Sequence, residues 1–425
     1  MILFKIIVYV YLLAPIISLL TILFDKIIIK KQKKYLVEKY ANIYVLLPAL
    51  KEQKIVKETI DYFRSINYKG NIKYVIITSE KEEYEYRIKK TYLKTTNELT
   101  NEYLKKINDN RFMHIHYNEI NGNKSSQLNY AISVIKKDIE NIDETYISVF
   151  DFDSRPSKDT FEELNKVIQN KNNPDEIQQI PLEIRNYAEI SNRSIIMTIY
   201  SLQHMVRSLA IEKIKFQLYT LFKINNPKYF MGACMHLKLT TLIDSGLFPI
   251  FVDDLTLGYR YSIYNKSTEY LYTSNYSLIP NDLGGFFGSS TLIFKGILTF
   301  ASEIKKAKKH FLNKLFLSIE GITNLLEVCI IPYLFLIYYF YSIIFNEYNF
   351  LTLLVFLIPI LWSLSSYIVL EIIGIKNDNK KKSILAIVLS GIWFIFRPTG
   401  FIIYTVKKIK SIIYKQEITY SKTPR

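Results

Sequence analysis

The sequence YISVFDFDS, residues 146–154, is the stretch that decides the fold. Its first five residues form an apolar run rich in strand formers, which is typical of a buried β-strand. Two carboxylates, Asp151 and Asp153, follow the strand at once, and Arg155-Pro156 ends the segment. Open α/β sheets bind ligands beyond the carboxyl ends of their strands, so this stretch predicts both a sheet and a site at its edge.

The residues before this stretch alternate between strand and helix patterns. The predicted strands are Asn42–Leu47, Lys73–Thr78 and Arg111–Tyr117, and the predicted helices are Glu52–Ile66, Glu80–Ile107 and Lys124–Ile135. This alternation predicts an α/β fold with a mainly parallel sheet and helices on both faces. A further strand is expected at Ile177–Ile184, after which the pattern becomes irregular.

The composition separates apolar from basic stretches. The chain has 425 residues, 49% of them hydrophobic, with 55 Lys plus Arg against 39 Asp plus Glu. Such apolar content excludes a disordered polar protein. Two cysteines, Cys234 and Cys329, exclude a disulfide scaffold and a Cys-rich zinc module. No nucleic-acid motif is present, so the basic excess is assigned to anionic lipid headgroups and no nucleic-acid partner is expected.

Residues 1–24 predict an N-terminal transmembrane helix. Their only charge is Lys5, and the run is long enough to cross a hydrocarbon core. A cleaved signal peptide is the alternative, but no small-residue cleavage site follows the run. The lysines that do follow are expected in the cytoplasm, which places the N-terminus outside. The protein is therefore expected to be an integral, multi-pass membrane protein.

Apolar stretches return near the C-terminus. The expected domains are the helix 1–24, a cytoplasmic α/β domain 38–310, transmembrane helices within 317–406, and a basic tail 407–425. Residues 286–316 fit helices in the membrane interface and surface helices of the α/β domain equally well. Arg397 and Pro398 interrupt the segment 383–406. The segment could cross the membrane fully, or it could form a re-entrant or broken helix.

Three polar segments carry candidate chemistry. Asp151 and Asp153 offer hard oxygen ligands that suit Mg²⁺ or Mn²⁺, although a turn with Asx hydrogen bonds is the simpler alternative. Lys124 lies in the first turn of a helix that follows Gly122, where backbone amides and the lysine could hold a diphosphate; a simple capped helix is the alternative. The pair Asp253-Asp254 begins a helical stretch. One of these aspartates could accept a proton from an attacking hydroxyl, and the alternative is that both simply stabilise the helix dipole.

Taken together, these motifs resemble those of the family 2 glycosyltransferases, which have the GT-A fold, a Rossmann-like α/β fold. The resemblance covers about residues 42–300 and rests on five ordered motifs: Pro48-Ala49-Leu50-Lys51-Glu52, Gly122 to Asn129, Asp151-Phe152-Asp153, Gly232-Ala233-Cys234-Met235 and Asp253-Asp254-Leu255-Thr256-Leu257. One residue, Asn123, separates the glycine and lysine of the second motif. Asp253 stands where the family has Glu.

The resemblance implies an inverting, membrane-bound glycosyltransferase of the hexosyl- or N-acetylhexosaminyl-transferase class. The implied donor is a nucleotide diphosphate sugar, usually a UDP-sugar, and the acceptor is lipid-linked or a glycan. Asp254 matches the catalytic base, with Asp253 beside it, and Asp153 and Asp151 match the ligands of Mn²⁺ or Mg²⁺. The implied donor-binding residues are Pro48, Ala49, Glu52, Glu80, Lys124, Asn129 and Asp151, and the implied acceptor loop is Gly232, Ala233 and Cys234.

One departure separates the chain from processive polysaccharide synthases, which carry Gln-x-x-Arg-Trp after the base. The corresponding stretch, residues 288–296, lacks the Gln, Arg and Trp. This favours a single transfer or a short product. A processive synthase and exporter remains an alternative, and so does a non-catalytic membrane scaffold that keeps the fold.

Two histidines, His114 and His116, lie two apart on one predicted strand and therefore share a face. A metal site needs at least a third ligand, and none is near them in sequence. We therefore interpret them as ordinary strand histidines.

Overall fold

A computed structural model describes residues 2–32, 37–90, 93–215, 229–250, 252–307, 310–375 and 379–414. The chain forms two compact units. The sheet unit comprises Ile28–Pro181 and Thr220–Ser277, and the helical unit comprises Met1–Ile27, Leu182–Tyr219 and Leu278–Arg425. The end of the predicted basic tail, residues 415–425, lies outside the described residues.

The strands of the described residues are β1 (Asn42–Pro48), β2 (Ile72–Ser79), β3 (Phe112–Tyr117), β4 (Thr145–Phe150), β5 (Arg155–Pro156), β6 (Glu176–Gln178), β7 (Pro181–Glu183), β8 (Cys234–Lys238), β9 (Thr268–Tyr270) and β10 (Asn275–Ser277). Seven of these described strands form one sheet in the order β3-β2-β1-β4-β8-β6-β9. Strand β8 runs antiparallel to β4 and β6, and the other neighbouring pairs are parallel. The prediction of a mainly parallel sheet is confirmed.

The helices of the described residues are α1 (Ile2–Gln32), α2 (Val56–Arg64), α3 (Glu80–Ile88), α4 (Thr96–Ile107), α5 (Lys124–Ile135), α6 (Thr160–Asn170), α7 (Tyr187–Arg193), α8 (Ile195–Val206), α9 (Leu239–Asp244), α10 (Asp253–Ile263), α11 (Leu283–Lys306), α12 (Phe311–Leu325), α13 (Ile331–Ile344), α14 (Phe350–Ile372), α15 (Lys380–Val388), α16 (Trp393–Phe396) and α17 (Thr399–Tyr414). The predicted helix Lys124–Ile135 is confirmed at both ends.

Two predicted elements are interrupted. The predicted helix 80–107 is two helices, because Thr95 and Glu98 form a capping box that starts α4 as a separate helix. The predicted strand 177–184 is also two strands, β6 and β7. Pro181 begins the second, and a proline has no N–H to donate to a ladder.

Both faces of the sheet are buried, as parallel sheets require. Alternate residues of β1 point to opposite faces: Val45 lies in one apolar cluster with Phe63 of α2, and Leu46 lies in another with Leu128 of α5. The parallel register pairs Leu46 with Val75 of β2. Strands β1, β2 and β4 therefore end at the same edge of the sheet, where the predicted site residues follow them.

The helical unit contains long apolar helices. Five helices of the described residues are long and apolar enough to cross a membrane: Ile2–Asp25, Leu283–Lys306, Phe311–Ile344, Phe350–Ile372 and Lys380–Ile413. This agrees with a membrane protein, and the crossing direction of each helix stays a prediction. The last segment is interrupted by a turn at Arg397 and Pro398, because a proline cannot continue the hydrogen-bond ladder of a helix.

Charged side chains pair with one another inside this helical unit. A π-helical segment, Arg207–Glu212, continues α8, and another, Leu326–Ile330, continues α12. Glu327 accepts a hydrogen bond from Arg397, and its carboxylate lies 4.0 Å from Arg207 Nε. Arg207 also donates to Glu212 over 3.1 Å. Charges among apolar helices need such partners, and π-helical segments often mark sites of this kind.

We predict that Glu327→Gln destabilises the helical unit by about 3 kcal/mol, because Arg397, whose side chain is 9% exposed, loses the carboxylate to which it donates, while Arg207 is left with Glu212. The measurement is thermal unfolding of the full chain in detergent. The matched control is Glu371→Gln, which removes a carboxylate that lies 3.9 Å from Lys380 in an exposed pair. Equal unfolding temperatures for the two variants would contradict the prediction.

Candidate functional site

The two carboxylates that follow β4 lie in a tight turn. The N–H of Ser154 donates to the carbonyl of Asp151 over 2.9 Å, which closes the turn. Asp153 is buried, whereas 24% of the Asp151 side chain is exposed. The turn therefore holds one carboxylate inside the sheet unit and offers the other to the open edge.

Arg155 holds this turn in place. Its guanidinium donates to the carbonyls of Ser154 over 2.8 Å and Phe152 over 3.3 Å, and to the Thr59 hydroxyl over 2.9 Å. Only 6% of the Arg155 side chain is exposed, and Glu58 lies 3.2 Å from it as a counter-ion. A buried guanidinium that donates to two carbonyls of one turn fixes its backbone path.

The Lys124 side chain extends from the start of α5 to the turn after β4. Asn123 caps the helix by accepting a hydrogen bond from Ser126 N over 2.9 Å. The Lys124 ammonium donates to Asp151 Oδ1 over 2.8 Å and to the carbonyl of Gly232 over 2.9 Å. It also lies 3.8 Å from Asp253 Oδ2. Burial alone lowers the pKa of Lys124, but these carboxylates outweigh it and raise that pKa above its ordinary value.

Asp254 is held by two backbone N–H groups. Leu255 donates to its Oδ1 over 2.7 Å, and Gly232 donates to its Oδ2 over 2.9 Å. Burial raises the pKa of Asp254 to about 6, and the charge of Asp253 adds to the rise. A Cβ at position 232 would lie 2.7 Å from Asp254 Oδ2, so only glycine allows this approach.

The residue before this helix has a strained backbone. Val252 adopts φ 52° and ψ 76°, in the left-handed region that β-branched residues rarely enter. Such a conformation costs about 1–3 kcal/mol and persists where the surrounding structure enforces it. It aims the first turn of α10, with Asp253 and Asp254, toward the glycine loop.

The glycine loop, Met231–Cys234, is fixed by buried amides. Gln178 accepts from Met231 N over 3.2 Å, and Asn275 donates to the Ala233 carbonyl over 3.3 Å. The Cys234 thiol is buried and donates to the carbonyl of Gln179. Burial raises its pKa well above the ordinary value, so this thiol is not poised as a nucleophile.

The segment that follows β1, residues 49–52, is organised by Glu82. The buried Glu82 carboxylate accepts from the backbone N–H groups of Lys51 over 2.7 Å and Thr96 over 2.8 Å, and from Gln53. Ala49 is buried and its N–H donates to Ile77 O over 2.8 Å, next to the end of β2. Glu82 is not among the residues that the sequence predicts for the site, because it lies in a highly charged helix where no local pattern distinguishes one carboxylate from the others.

Glu80 lies at the end of β2 beside a histidine. Its carboxylate is 3.3 Å from His116 Nε2 and also pairs with Arg87. Among the described residues, Glu80, Glu83 and His116 have a spacing that could hold a metal ion. The two histidines share one partner, since the Thr78 hydroxyl lies 2.8 Å from His114 Nε2 and 2.9 Å from His116 Nδ1.

Asn129 is engaged elsewhere. Its side-chain amide donates to the Phe248 carbonyl over 2.9 Å and accepts from Phe248 N over 3.0 Å. It thus anchors the loop that leads toward α10. The structure brings together Lys124, Asp151, Gly232, Asp253 and Asp254, and places Pro48, Ala49, Glu52 and Glu80 at the ends of β1 and β2.

The oxygens around Lys124 fit a hard divalent cation. Asp151 Oδ1, the Gly232 carbonyl and Asp253 Oδ2 already surround one positive charge, the lysine ammonium. Asp253 Oδ2 is buried and accepts no hydrogen bond from the described residues. Carboxylate and carbonyl oxygens are ligands that Mg²⁺ and Mn²⁺ prefer, so the donor set suits the expected metal.

Comparisons with known proteins show the fold. No family model matches the chain, and no curated protein matches its sequence. Among solved structures, the chain is similar to the mannosyltransferase PcManGT from Pyrobaculum calidifontis, determined in complex with GDP-Man and Mn²⁺ (TM-score 0.50, 12% identity, covering 97% of this chain and 100% of that one). A match to S. aureus TarS 1–349 has a TM-score of 0.36 at 10% identity, covering 90% and 98%. The chain therefore shares the fold of the first of these structures, the mannosyltransferase.

Proposed function

We propose that the protein is a membrane-bound, inverting glycosyltransferase of family 2 with the GT-A fold. It transfers a sugar from a nucleotide diphosphate sugar, expected to be a UDP-sugar, to a lipid-linked or glycan acceptor. One observation carries the proposal: the Gly232 backbone joins a partly buried carboxylate, Asp254, to a lysine that pairs with Asp151. A proton acceptor thus lies next to a cationic, oxygen-rich site, as glycosyl transfer from a diphosphate requires.

Asp254 is proposed as the general base. Its carboxylate takes the proton of the acceptor hydroxyl, the hydroxyl oxygen bonds to the anomeric carbon, and the bond from that carbon to the diphosphate breaks on the opposite face. A pKa of about 6 leaves Asp254 ionised at neutral pH yet basic enough to accept the proton. The N–H groups of Gly232 and Leu255 keep both of its oxygens in a fixed orientation.

The donor is proposed to lie along the edge formed by β1, β2 and β4. Asp153 and Asp151 would hold Mn²⁺ or Mg²⁺, which supplies positive charge that offsets the charge on the leaving diphosphate. Lys124 adds a positive charge for the same diphosphate. The nucleoside is proposed to lie against the ends of β1 and β2. The residues there that have the donor-binding role implied by the resemblance are Pro48, Ala49, Glu52 and Glu80.

The acceptor is proposed to approach the glycine loop. Gly232, Ala233 and Cys234 lie beside the base, since Gly232 bonds directly to Asp254. The apolar helices would hold the enzyme and a lipid-linked acceptor in one membrane, with the sheet unit in the cytoplasm. The donor panel for testing includes UDP-sugars and GDP-mannose, because the structurally similar mannosyltransferase was determined with GDP-Man.

We predict that donor hydrolysis by the wild type rises with pH through about 6 and then levels off. Asp254 is protonated and cannot accept a proton below its raised pKa, and it is ionised above it. Asp253 and Lys124 are the charged groups beside it and act on this pKa in opposite directions. Asp254→Asn is expected to lower kcat by about 10²–10⁴-fold and to abolish the acid limb.

The measurement is nucleotide release from each sugar nucleotide by purified protein in detergent across a pH series. The control is Asp244→Asn, which neutralises an exposed carboxylate at the end of α9 and should behave as wild type. Unchanged hydrolysis by Asp254→Asn would remove Asp254 from the role of base.

We predict that Asp153→Asn weakens metal-dependent nucleotide binding by more than about 100-fold, since loss of an outer-sphere partner alone costs about 10–100-fold in metal affinity. Isothermal titration of UDP and GDP with Mn²⁺ measures this effect. Asp254→Asn should keep nucleotide binding, because its role is in proton transfer. If neither nucleotide binds the wild type with or without metal, the scaffold alternative replaces the enzyme.

A further inference from the structure

The position of the Lys124 ammonium is that of a bound cation. Three oxygens from different elements converge on it: Asp151 Oδ1 from the turn after β4, the Gly232 carbonyl from the glycine loop, and Asp253 Oδ2 from α10. Their distances from the ammonium are 2.8, 2.9 and 3.8 Å. These oxygens also suit a divalent metal. The lysine ammonium and the metal would therefore bind to the same carboxylates.

Two cations do not share this site without a further anion. Asp151 is the carboxylate common to both, and a metal on it would lie close to an ammonium at hydrogen-bond distance. Unit charges of like sign a few ångströms apart repel strongly in a partly buried site. Metal binding therefore requires that the lysine move away or that a new negative charge arrive.

We propose that Lys124 is a built-in counter-ion that excludes free metal from the site until a nucleotide diphosphate draws the lysine away. This inference rests on the proposed function and adds an order of binding to it: metal enters with the donor and is held weakly without it. The diphosphate brings the missing negative charge, to which the lysine ammonium transfers its hydrogen bonds.

The side chain is placed to make this exchange. Lys124 lies in the first turn of α5, where helix N–H groups also favour an anion. Its side chain is 31% exposed, so part of the side chain borders solvent at the edge of the sheet where the diphosphate is proposed to bind. A lysine has a long, flexible stem and can change partners without a backbone movement.

The exchange also reaches the proposed base. Gly232 accepts from Lys124 through its carbonyl and donates to Asp254 through its N–H. When Lys124 turns to the diphosphate, the Gly232 carbonyl loses that bond and becomes available to the metal or the acceptor. The same glycine therefore connects donor binding to the first turn of α10, which carries Asp254.

The test compares Mn²⁺ binding by full-length wild type and Lys124→Met in detergent, from the loss of the free Mn²⁺ signal in electron paramagnetic resonance. Lys124→Met is expected to bind Mn²⁺ alone at least about tenfold more tightly than wild type, because the competing charge is gone. When UDP or GDP is added, the order of the two Mn²⁺ affinities reverses. Wild type gains affinity for Mn²⁺, and Lys124→Met gains little.

The matched control is Lys94→Met, which removes an exposed lysine that pairs with Glu102 and should leave Mn²⁺ binding unchanged. Lys124→Arg keeps the charge and should bind Mn²⁺ alone as weakly as wild type does. Adding Asp151→Asn to Lys124→Met should remove the gained affinity, which places the gain at this site, because Asp151 supplies one of its three oxygens. Thermal unfolding checks that each variant is folded.

Two results would overturn the inference. In the first, the Lys124→Met variant is folded but binds Mn²⁺ alone no more tightly than wild type does. This result would show that the Lys124 ammonium does not compete with Mn²⁺ for the site. Wild type that binds UDP or GDP, yet binds Mn²⁺ as tightly without the nucleotide as with it, also contradicts the inference, and this result needs no variant. The failure of the proposed function has a different signature: no nucleotide binds the wild type, while the comparison with Mn²⁺ alone still decides whether Lys124 excludes the metal.

Discussion

The contact between the Lys124 ammonium and Asp151 is the interaction on which the arrangement of the site depends. It joins the start of α5 to the turn after β4, and the same ammonium holds the Gly232 carbonyl. Because Gly232 in turn donates to Asp254, one positive charge organises segments that are more than 100 residues apart in sequence. An ammonium among carboxylates, partly withdrawn from water, is a strong and directional constraint.

This contact is possible because the sheet delivers its partners to one edge. Parallel pairing makes β1, β2 and β4 end together, and the antiparallel β8 brings the glycine loop next to the end of β4. Buried polar groups then fix each loop: Arg155 holds the turn after β4, Gln178 the glycine loop and Glu82 the segment after β1. Each of them satisfies backbone groups that the loops would otherwise bury unpaired.

The sequence was informative where local chemistry decides the structure. The strand–helix alternation predicted the sheet, and the capped start of α5 placed Lys124 correctly. The break at Thr95 was also readable, since Thr95 and Glu98 have the spacing of a capping box. The partners of Glu82, and the use of Asn129 by Phe248, were not predictable, because they depend on which loops meet after folding. The pairing of Lys124 with Asp151 is of the same tertiary kind.

The same distinction explains how the fold persists at 12% identity over 97% of the chain. A core position such as Val45 or Leu128 needs only an apolar side chain of suitable volume, so many sequences satisfy it. Position 232 needs a residue without a Cβ, and position 254 needs a carboxylate that two N–H groups can hold. Few positions carry such demands, and their spacing is what short motifs record. A chain can therefore differ from another at most positions and still have the same fold.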